Sequence, residues 1–312
     1  MRGIWGWSGL RTGPEGAKLL DALGMEADST PSARSIGEAM ALDGRDAHGH
    51  VVAESTGVVA ALVGRPRWVA SGAIVEPASL CEAYRREGDA VLDKLQGPFA
   101  LAAVEPSAGT ALLAVDRMGV WDLAYAPLER GVLFAPRADR VAADPRCASD
   151  LDPQSLYDYL YHHVIPRPRS AFRGIHRLRP GEALSIHGGK SRVFAYWRPT
   201  FTEDHETPER ELEERFRETV RSAVRRAADG RSVGAFLSGG TDSSTVTGML
   251  AEVTGTAPST FAIGFDAPGY DETAYARIAA RHFGARHHEY FVTPEDVVDA
   301  VPSIAAAYGE PY

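Results

Sequence analysis

The segment Ser238 to Ser244, SGGTDSS, places two glycines, an acid and four hydroxyl side chains directly after the apolar run Val233 to Leu237. Glycine lets backbone amides approach an anion without side-chain obstruction. Ser238, Thr241, Ser243 and Ser244 add hydroxyl donors, and the Asp242 carboxylate suits a Mg²⁺ that travels with phosphate groups. The chemistry these types share is the grip of a phosphate chain. Three familiar loops are excluded at particular positions. A Walker loop needs GxxxxGK[ST], and the GKS at residues 189–191 has Leu184 where the first glycine belongs. A nucleophile elbow needs GxSxG, but Phe236 stands two residues before Ser238, and no GxGxxG is present. Gly-Gly-Thr-Asp alone would also suit a turn leading into a capped helix. With the serines and the preceding strand added, the segment reads as a phosphate loop of another type.

Such a loop needs a strand to end on and a helix to begin. Val246, Met249, Leu250 and Val253 have the i, i+3, i+4, i+7 spacing of a buried helix face, which puts Asp242 and Ser243 at its N-terminus. Free N–H groups and the positive dipole end are found there. Upstream, Thr207 followed by Pro208 starts a helix whose Leu212, Phe216, Val220, Ala223, Val224 and Ala227 form one core-facing stripe. Downstream come a strand at 259–265, a helix at about 272–283 stopped by Gly284, and a strand at about 287–292. A last helix follows, capped by Thr293 with Pro294 at its first position and with Val297, Val298, Val301, Ile304, Ala305 and Tyr308 along one side. Repeated β-α-β units imply a parallel sheet, and ligands bind at the carboxyl ends of such strands.

Residues 1–202 have a different rhythm. The runs at 58–64, 99–105, 110–116, 123–128 and 131–136 read as strands of antiparallel meanders, and 182–197 as a hairpin around Gly188 and Gly189. Helical spacing appears in PASLCEAYRREGDAVLDKLQG and in LDPQSLYDYLYHH, where Asp152 caps a helix beginning at Pro153. This is an α+β domain, 1–202, followed by an α/β domain, 203–312. A chain of 312 residues is long enough for two cores.

The formal net charge of -9 argues against a nucleic-acid or membrane partner held by bulk electrostatics. Only Lys18, Lys94 and Lys190 are lysines, so arginine carries nearly all the positive charge. Cys81 and Cys147 belong to no metal or disulfide spacing, and the N-terminus lacks a signal-peptide core, so a cytoplasmic protein is expected. The pairs His162-His163 and His287-His288 read as structural histidines without a third ligand, and Asp271 with Glu272 as a helix cap. Trp5, Trp7, Trp68, Trp121 and Trp197 read as core or interface anchors.

SGGTDSS resembles the SGGxDSS pyrophosphate loop of the asparagine synthetase superfamily. KLQGPFALAAVE, AVDRMGVWDLAYAP, LDPQSLYDYLYHHVIPRPRSAFRGIHRLRPGEAL, TFAIGF, YDETAYARIAARHFGARHHE and GEPY are similar to successive landmarks of that family. The resemblance implies an N-terminal-nucleophile-like glutaminase domain. It is followed by an incomplete PP-loop ATP pyrophosphatase domain of the adenine nucleotide α-hydrolase type. It further implies a carbon–nitrogen ligase with ATP and Mg²⁺ as cofactors. The carboxylate would be activated as its adenylate with release of pyrophosphate. The ATP and pyrophosphate contacts then fall on Leu237, Ser238, Gly239, Gly240, Asp242, Ser243, Ser244 and Ile263, with Asp242 on the metal. Glu310 would approach the nucleotide.

Two departures from the family shape the expectation. A working glutaminase has cysteine after the initiator methionine, whereas Met1 is followed here by Arg2, so no glutamine hydrolysis is expected. Cys81, in a helix, and Cys147, in a loop, read as ordinary thiols. The family also continues beyond the position of Tyr312, so a fragment, a split enzyme or a degenerate homologue is expected. The partners are then a small-molecule or peptide carboxylate and an amine or ammonia, with a homodimer or a separately encoded C-terminal half as protein partner. The alternatives are a β-lactam synthetase or lasso-peptide macrocyclase using a substrate amine, and a non-catalytic nucleotide- or partner-binding module.

Overall fold

The computed structural model describes residues 3–8, 34–36, 40–46, 49–50, 52–129, 131–147, 149–230, 232–266 and 271–311. Two compact units emerge, Met1–Thr200 together with Ala305–Tyr312, and Phe201–Ile304. Residues 305–312 therefore group with the first unit, where the sequence reading had placed them in the second. Arg2 and Tyr312 lie outside the described residues.

The strands of the first unit are, in chain order, β1 (Gly3–Ser8), β2 (Arg34–Ile36), β3 (Met40–Asp46), β4 (Gly49–His50), β5 (Val52–Ser55), β6 (Val58–Gly64), β7 (Arg67–Trp68), β8 (Leu95–Gln96), β9 (Phe99–Glu105), β10 (Thr110–Val115), β11 (Ala124–Leu128), β12 (Gly131–Ala135), β13 (His176–Arg177), β14 (Glu182–His187) and β15 (Lys190–Ala195). Among the described residues they form one antiparallel sheet ordered β13-β11-β12-β1-β3-β2 and another ordered β15-β14-β10-β9-β6-β5. The helices are α1 (Pro77–Glu87), continued by a 3₁₀ segment Gly88–Lys94, α2 (Ala138–Ala142) and α3 (Pro153–His162).

The apolar runs that read as strands have no polar alternation because both of their faces are covered. One face of β6, β9 and β10, with Val59, Ala102 and Leu113, meets Tyr125, Val132 and Phe134 of the other sheet. The opposite face, with Ala60, Leu101 and Leu112, packs under Leu80, Cys81 and Tyr84 of α1. Leu133 and Ala135 on the far side of the first sheet pack against Ala138 and Val141 of α2. The layers thus run helix, sheet, sheet, helix.

Asp116 is 1% exposed, yet its carboxylate accepts from the N–H groups of Phe99, Met118, Val120 and Trp121 at 2.9–3.3 Å. A buried carboxylate with all its lone pairs satisfied fixes the turn out of β10, so AVDRMGVWD encodes a fold element. At α3, Asp152 accepts from Gln154 N–H at 3.3 Å and from Ser155 Oγ at 2.8 Å, as the sequence reading expected of a cap. Asp152→Ala is expected to remove about 1 kcal/mol of stability, read as a lower denaturation midpoint with an unchanged slope. Gly188 and Gly189 take φ of +55° and +77°, the left-handed pair that closes a two-residue hairpin. Gly189 of the GKS triplet therefore lies in the β14–β15 turn, and Lys190 and Ser191 begin β15.

The second unit contains α4 (Glu209–Ala228), β16 (Gly234–Phe236), α5 (Thr241–Thr254), β17 (Ser259–Phe265), α6 (Thr273–His282), β18 (Arg286–Val292) and most of α7 (Pro294–Tyr308). The sheet is parallel, in the order β16-β17-β18. Each crossover steps in the same direction, so right-handedness puts α5 and α6 on one face. Strand β17 records the result. Thr260, Ala262 and Gly264 are buried, while Phe261, Ile263 and Phe265 alternate with them on a face left uncovered within this unit.

Several local expectations shift. Pro208 occupies the cap position of α4 and the helix begins at Glu209, one residue later than the Thr207-Pro208 reading. The stripe on α4 is not core-facing in this unit, since Phe216 is 68% exposed, and Val297, Val298, Val301 and Ile304 of α7 are exposed as well. The buried face of α5 carries Thr247 and Leu250, with Val246 exposed. At α7 the Thr293 cap holds, with Asp296 N–H donating to Thr293 Oγ1 at 3.2 Å and Thr293 N–H to Asp296 Oδ2 at 2.8 Å.

Candidate functional site

Strand β16 ends at Phe236, and Leu237 extends the parallel ladder by donating its N–H to the Phe261 carbonyl at 2.9 Å. The Leu237 side chain is buried with Ala262, Ala276 and Ala280. From this anchored point residues 238–240 turn into α5. Ser238 N–H donates to Ser243 Oγ at 3.2 Å, and Gly240 N–H donates to Ser238 Oγ at 3.3 Å. Ser238 Oγ lies 3.0 Å from Ser243 Oγ, which reaches the Gly240 carbonyl at 3.3 Å. These two serines hold the turn closed across the first turn of the helix, a use beyond the donor role expected of them.

The two glycines are required for different reasons. Gly239 has φ +85°, and a Cβ there would lie 2.4 Å from the Tyr275 carbonyl carbon and 2.5 Å from Ala276 N. Its need is internal, because the loop rests on the backbone of α6. Gly240 has an ordinary negative φ, and its nearest neighbour to a Cβ is Ser238 Oγ at 3.4 Å. Packing leaves room at Gly240, so its lack of a side chain clears space in front of the loop. No side chain caps α5, whose N-terminus therefore faces outward with Thr241 and Asp242 exposed.

Ile263, at 55% exposure, lies in a hollow of about 240 Å³ together with Leu237 and Ser238. Phe236, Phe261, Ala262, Phe265, Glu272, Thr273 and Ala276 complete its lining. Of these only Glu272 is singled out by the sequence, as part of a helix cap; the aromatic lining is not, although the alternation within TFAIGF already separates one aromatic and aliphatic face. Asp271 caps α6, its carboxylate accepting from Thr273 N–H at 3.2 Å and from Thr273 Oγ1 at 2.9 Å.

The hollow and the outward-facing helix end suit a flat apolar ring and an anion, respectively. Asp242 is the carboxylate adjacent to that anion position. Among the described residues no group of three or more His, Cys, Asp or Glu side chains could hold a metal ion. A lone carboxylate fits Mg²⁺ carried mainly by phosphate oxygens and water. His287 Nδ1 lies 2.9 Å from Thr260 Oγ1, and the His288 ring stacks on Phe261 with centroids 5.1 Å apart.

In the first unit neither thiol is placed for nucleophilic attack. Cys81 is buried in α1 with Sγ directed at the Ala53 carbonyl, and burial raises its pKa. Burial, assisted by Asp144, pushes the Cys147 thiol up to about 11. Both remain thiols at neutral pH, whereas attack requires the thiolate. Glu310, a candidate for the nucleotide, is engaged by Arg177 and Ala171 of the first unit.

The asparagine synthase family profile matches residues 215–312, which include the loop, and the glutamine amidotransferase domain profile matches residues 77–197. The chain belongs to the asparagine synthetase superfamily. In it a glutamine amidotransferase domain precedes an asparagine synthase domain. A putative glutamine-hydrolysing asparagine synthetase of Methanocaldococcus jannaschii is 27% identical over 236 residues, covering 73% of this chain and 45% of that one. Asparagine synthetase 1 of Bacillus subtilis is 25% identical over 236 residues, covering 74% and 37%. A putative asparagine synthetase of Mycobacterium tuberculosis is 28% identical over 250 residues, covering 73% and 36%. This member of the superfamily thus spans less than half the length of the curated relatives it matches. No helix among its described residues is long and apolar enough to cross a membrane.

Proposed function

We propose that this chain contributes the phosphate-gripping part of an ATP-dependent ligase that joins a carboxylate to an amine. The observation that carries this reading is the SGGTDSS turn at the end of β16, with open space at Gly240 before an uncapped helix N-terminus. The fold class follows the same reading, an N-terminal-nucleophile-like unit in helix-sheet-sheet-helix layers and a PP-loop unit with a parallel sheet. ATP would supply the activating adenylyl group: a carboxylate oxygen attacks the α-phosphorus, and pyrophosphate leaves with the bonding electron pair. The amine then attacks the acyl carbon, loses a proton and displaces AMP. The chain's own part is electrostatic. The N–H groups at the start of α5 would stabilise the departing charge, Asp242 would hold the Mg²⁺ that accompanies it, and the hollow at Ile263 would seat the base.

The nitrogen donor in this reading is ammonia or an amine on the substrate. Cys81 is buried, Cys147 is half-buried, and burial raises the pKa of both thiols, which favours this over glutamine hydrolysis at either. Two assays test the proposal on the enzyme that carries this chain. Labelled pyrophosphate is expected to exchange into ATP only when the matching carboxylate is present, and no glutamate is expected from glutamine. Absence of exchange across amino-acid and peptide carboxylates would leave the non-catalytic binding module as the better account. Glutamate release would overturn the assignment of the donor.

A further inference from the structure

The last turn of α7 and the residues that follow it are held within the first unit mainly by polar contacts. Residues 305–308 are exposed, so apolar burial contributes little to their placement. Polar contacts concentrated at three points do the holding instead. The Arg137 guanidinium donates to the carbonyls of Ala306 and Ala307, satisfying the end of α7 while being itself paired with Asp139. A cation at this position also complements the negative end of the helix. Gly309 N–H returns to the Ala305 carbonyl at 2.9 Å, with φ +71°. A Cβ at Gly309 would fall 2.3 Å from Asp139 Oδ1, so a larger residue must displace the Arg137–Asp139 pair as well as bear the strain of the positive φ.

The third point is Glu310, whose side chain is 8% exposed although Tyr308 and Pro311 on either side are exposed. One carboxylate oxygen lies 2.5 Å from Arg177 Nη1, and the other accepts from Ala171 N–H at 3.0 Å. Arg177 is itself held by the Ile165 carbonyl at 2.8 Å and by Asp122 at 3.4 Å, so the guanidinium is positioned before the carboxylate arrives. Beside this seat lies a cavity of about 840 Å³. Trp121, Ile165 and Arg167 line one side, and Ala307, Tyr308 and Pro311 the other.

We propose that Gly309-Glu310 is a docking latch, with Arg177 and the Ala171 N–H as its catch, and that the seated segment 305–311 is the removable wall of that cavity. An element held by apolar packing separates only with the loss of a whole surface. One held by a few polar points, here Arg137, Gly309 and the buried Glu310 carboxylate, opens when Gly309 or Glu310 is disturbed, giving solvent and solutes access to the guanidinium groups behind it. Glu310 is thus a positioning residue, and the role is independent of the nucleotide reading above.

Hydrogen exchange on the 312-residue chain tests the latch. Glu310→Lys faces Arg177 with a like charge, and Gly309→Ala inserts the excluded Cβ without changing charge. Each is expected to speed amide exchange in residues 305–311 at least about tenfold, with β9 and β10 as protected as in the wild type. Acceleration confined to this segment in both variants supports the proposal. Unchanged exchange in either variant, or acceleration spread into β9 and β10, would overturn it.

Discussion

Asp242→Asn is expected to lower carboxylate-dependent pyrophosphate exchange on the order of 10²–10³-fold, the range typical of losing one preorganised stabiliser of developing charge. Folding should barely change. Asp242 is exposed and makes no hydrogen bond or ion pair among the described residues, so its structural contribution is limited to its place in the first turn of α5. An acid there contributes roughly 0.3–1 kcal/mol through the helix dipole. The catalytic effect corresponds to about 3–4 kcal/mol, so the two readouts separate cleanly. Exchange within threefold of the wild type would remove Asp242 from the metal position.

The glycine pair yields the second contrast. Gly239→Val should destabilise the second unit by roughly 2–5 kcal/mol, combining about 1–2 for a left-handed non-glycine residue with about 1–3 for overpacking. The collision is with backbone atoms of Tyr275 and Ala276, which have no rotamer in which to escape. Gly240→Ala should alter stability by less than about 0.5 kcal/mol, because its Cβ meets only Ser238 Oγ at ordinary distance. It should nevertheless impair exchange strongly, since the methyl group occupies the space cleared in front of the loop. Thermal denaturation and exchange on the two variants should therefore rank them in opposite order: Gly239→Val mainly unfolds, whereas Gly240→Ala mainly inactivates.

Much of the fold was legible because local patterns determine it. Gly188-Gly189, the Asp152 cap and the Thr293 cap are decided within a few residues, and each appears where its sequence places it. The β-α-β alternation likewise implies a parallel sheet, whose order β16-β17-β18 the structure supplies. What escaped depends on neighbours distant in sequence. Helical spacing at Leu212 and Phe216 identifies an apolar stripe and leaves open whether anything in the same unit covers it. The site was legible as a loop, yet its lining by Phe236, Phe261 and Phe265 follows from which face of β17 the crossovers leave bare. Glu310 was least legible, because its partners Ala171 and Arg177 lie more than a hundred residues away.

The division into two units also has a spectroscopic consequence. All five tryptophans precede residue 200, so indole emission reports on Met1–Thr200 and is silent about Phe201–Ile304. Far-ultraviolet dichroism, by contrast, records the helices of both units. Superimposable denaturation curves from these two signals would mark one cooperative transition. Separated midpoints would reveal the parallel-sheet unit melting on its own, without any label having been added.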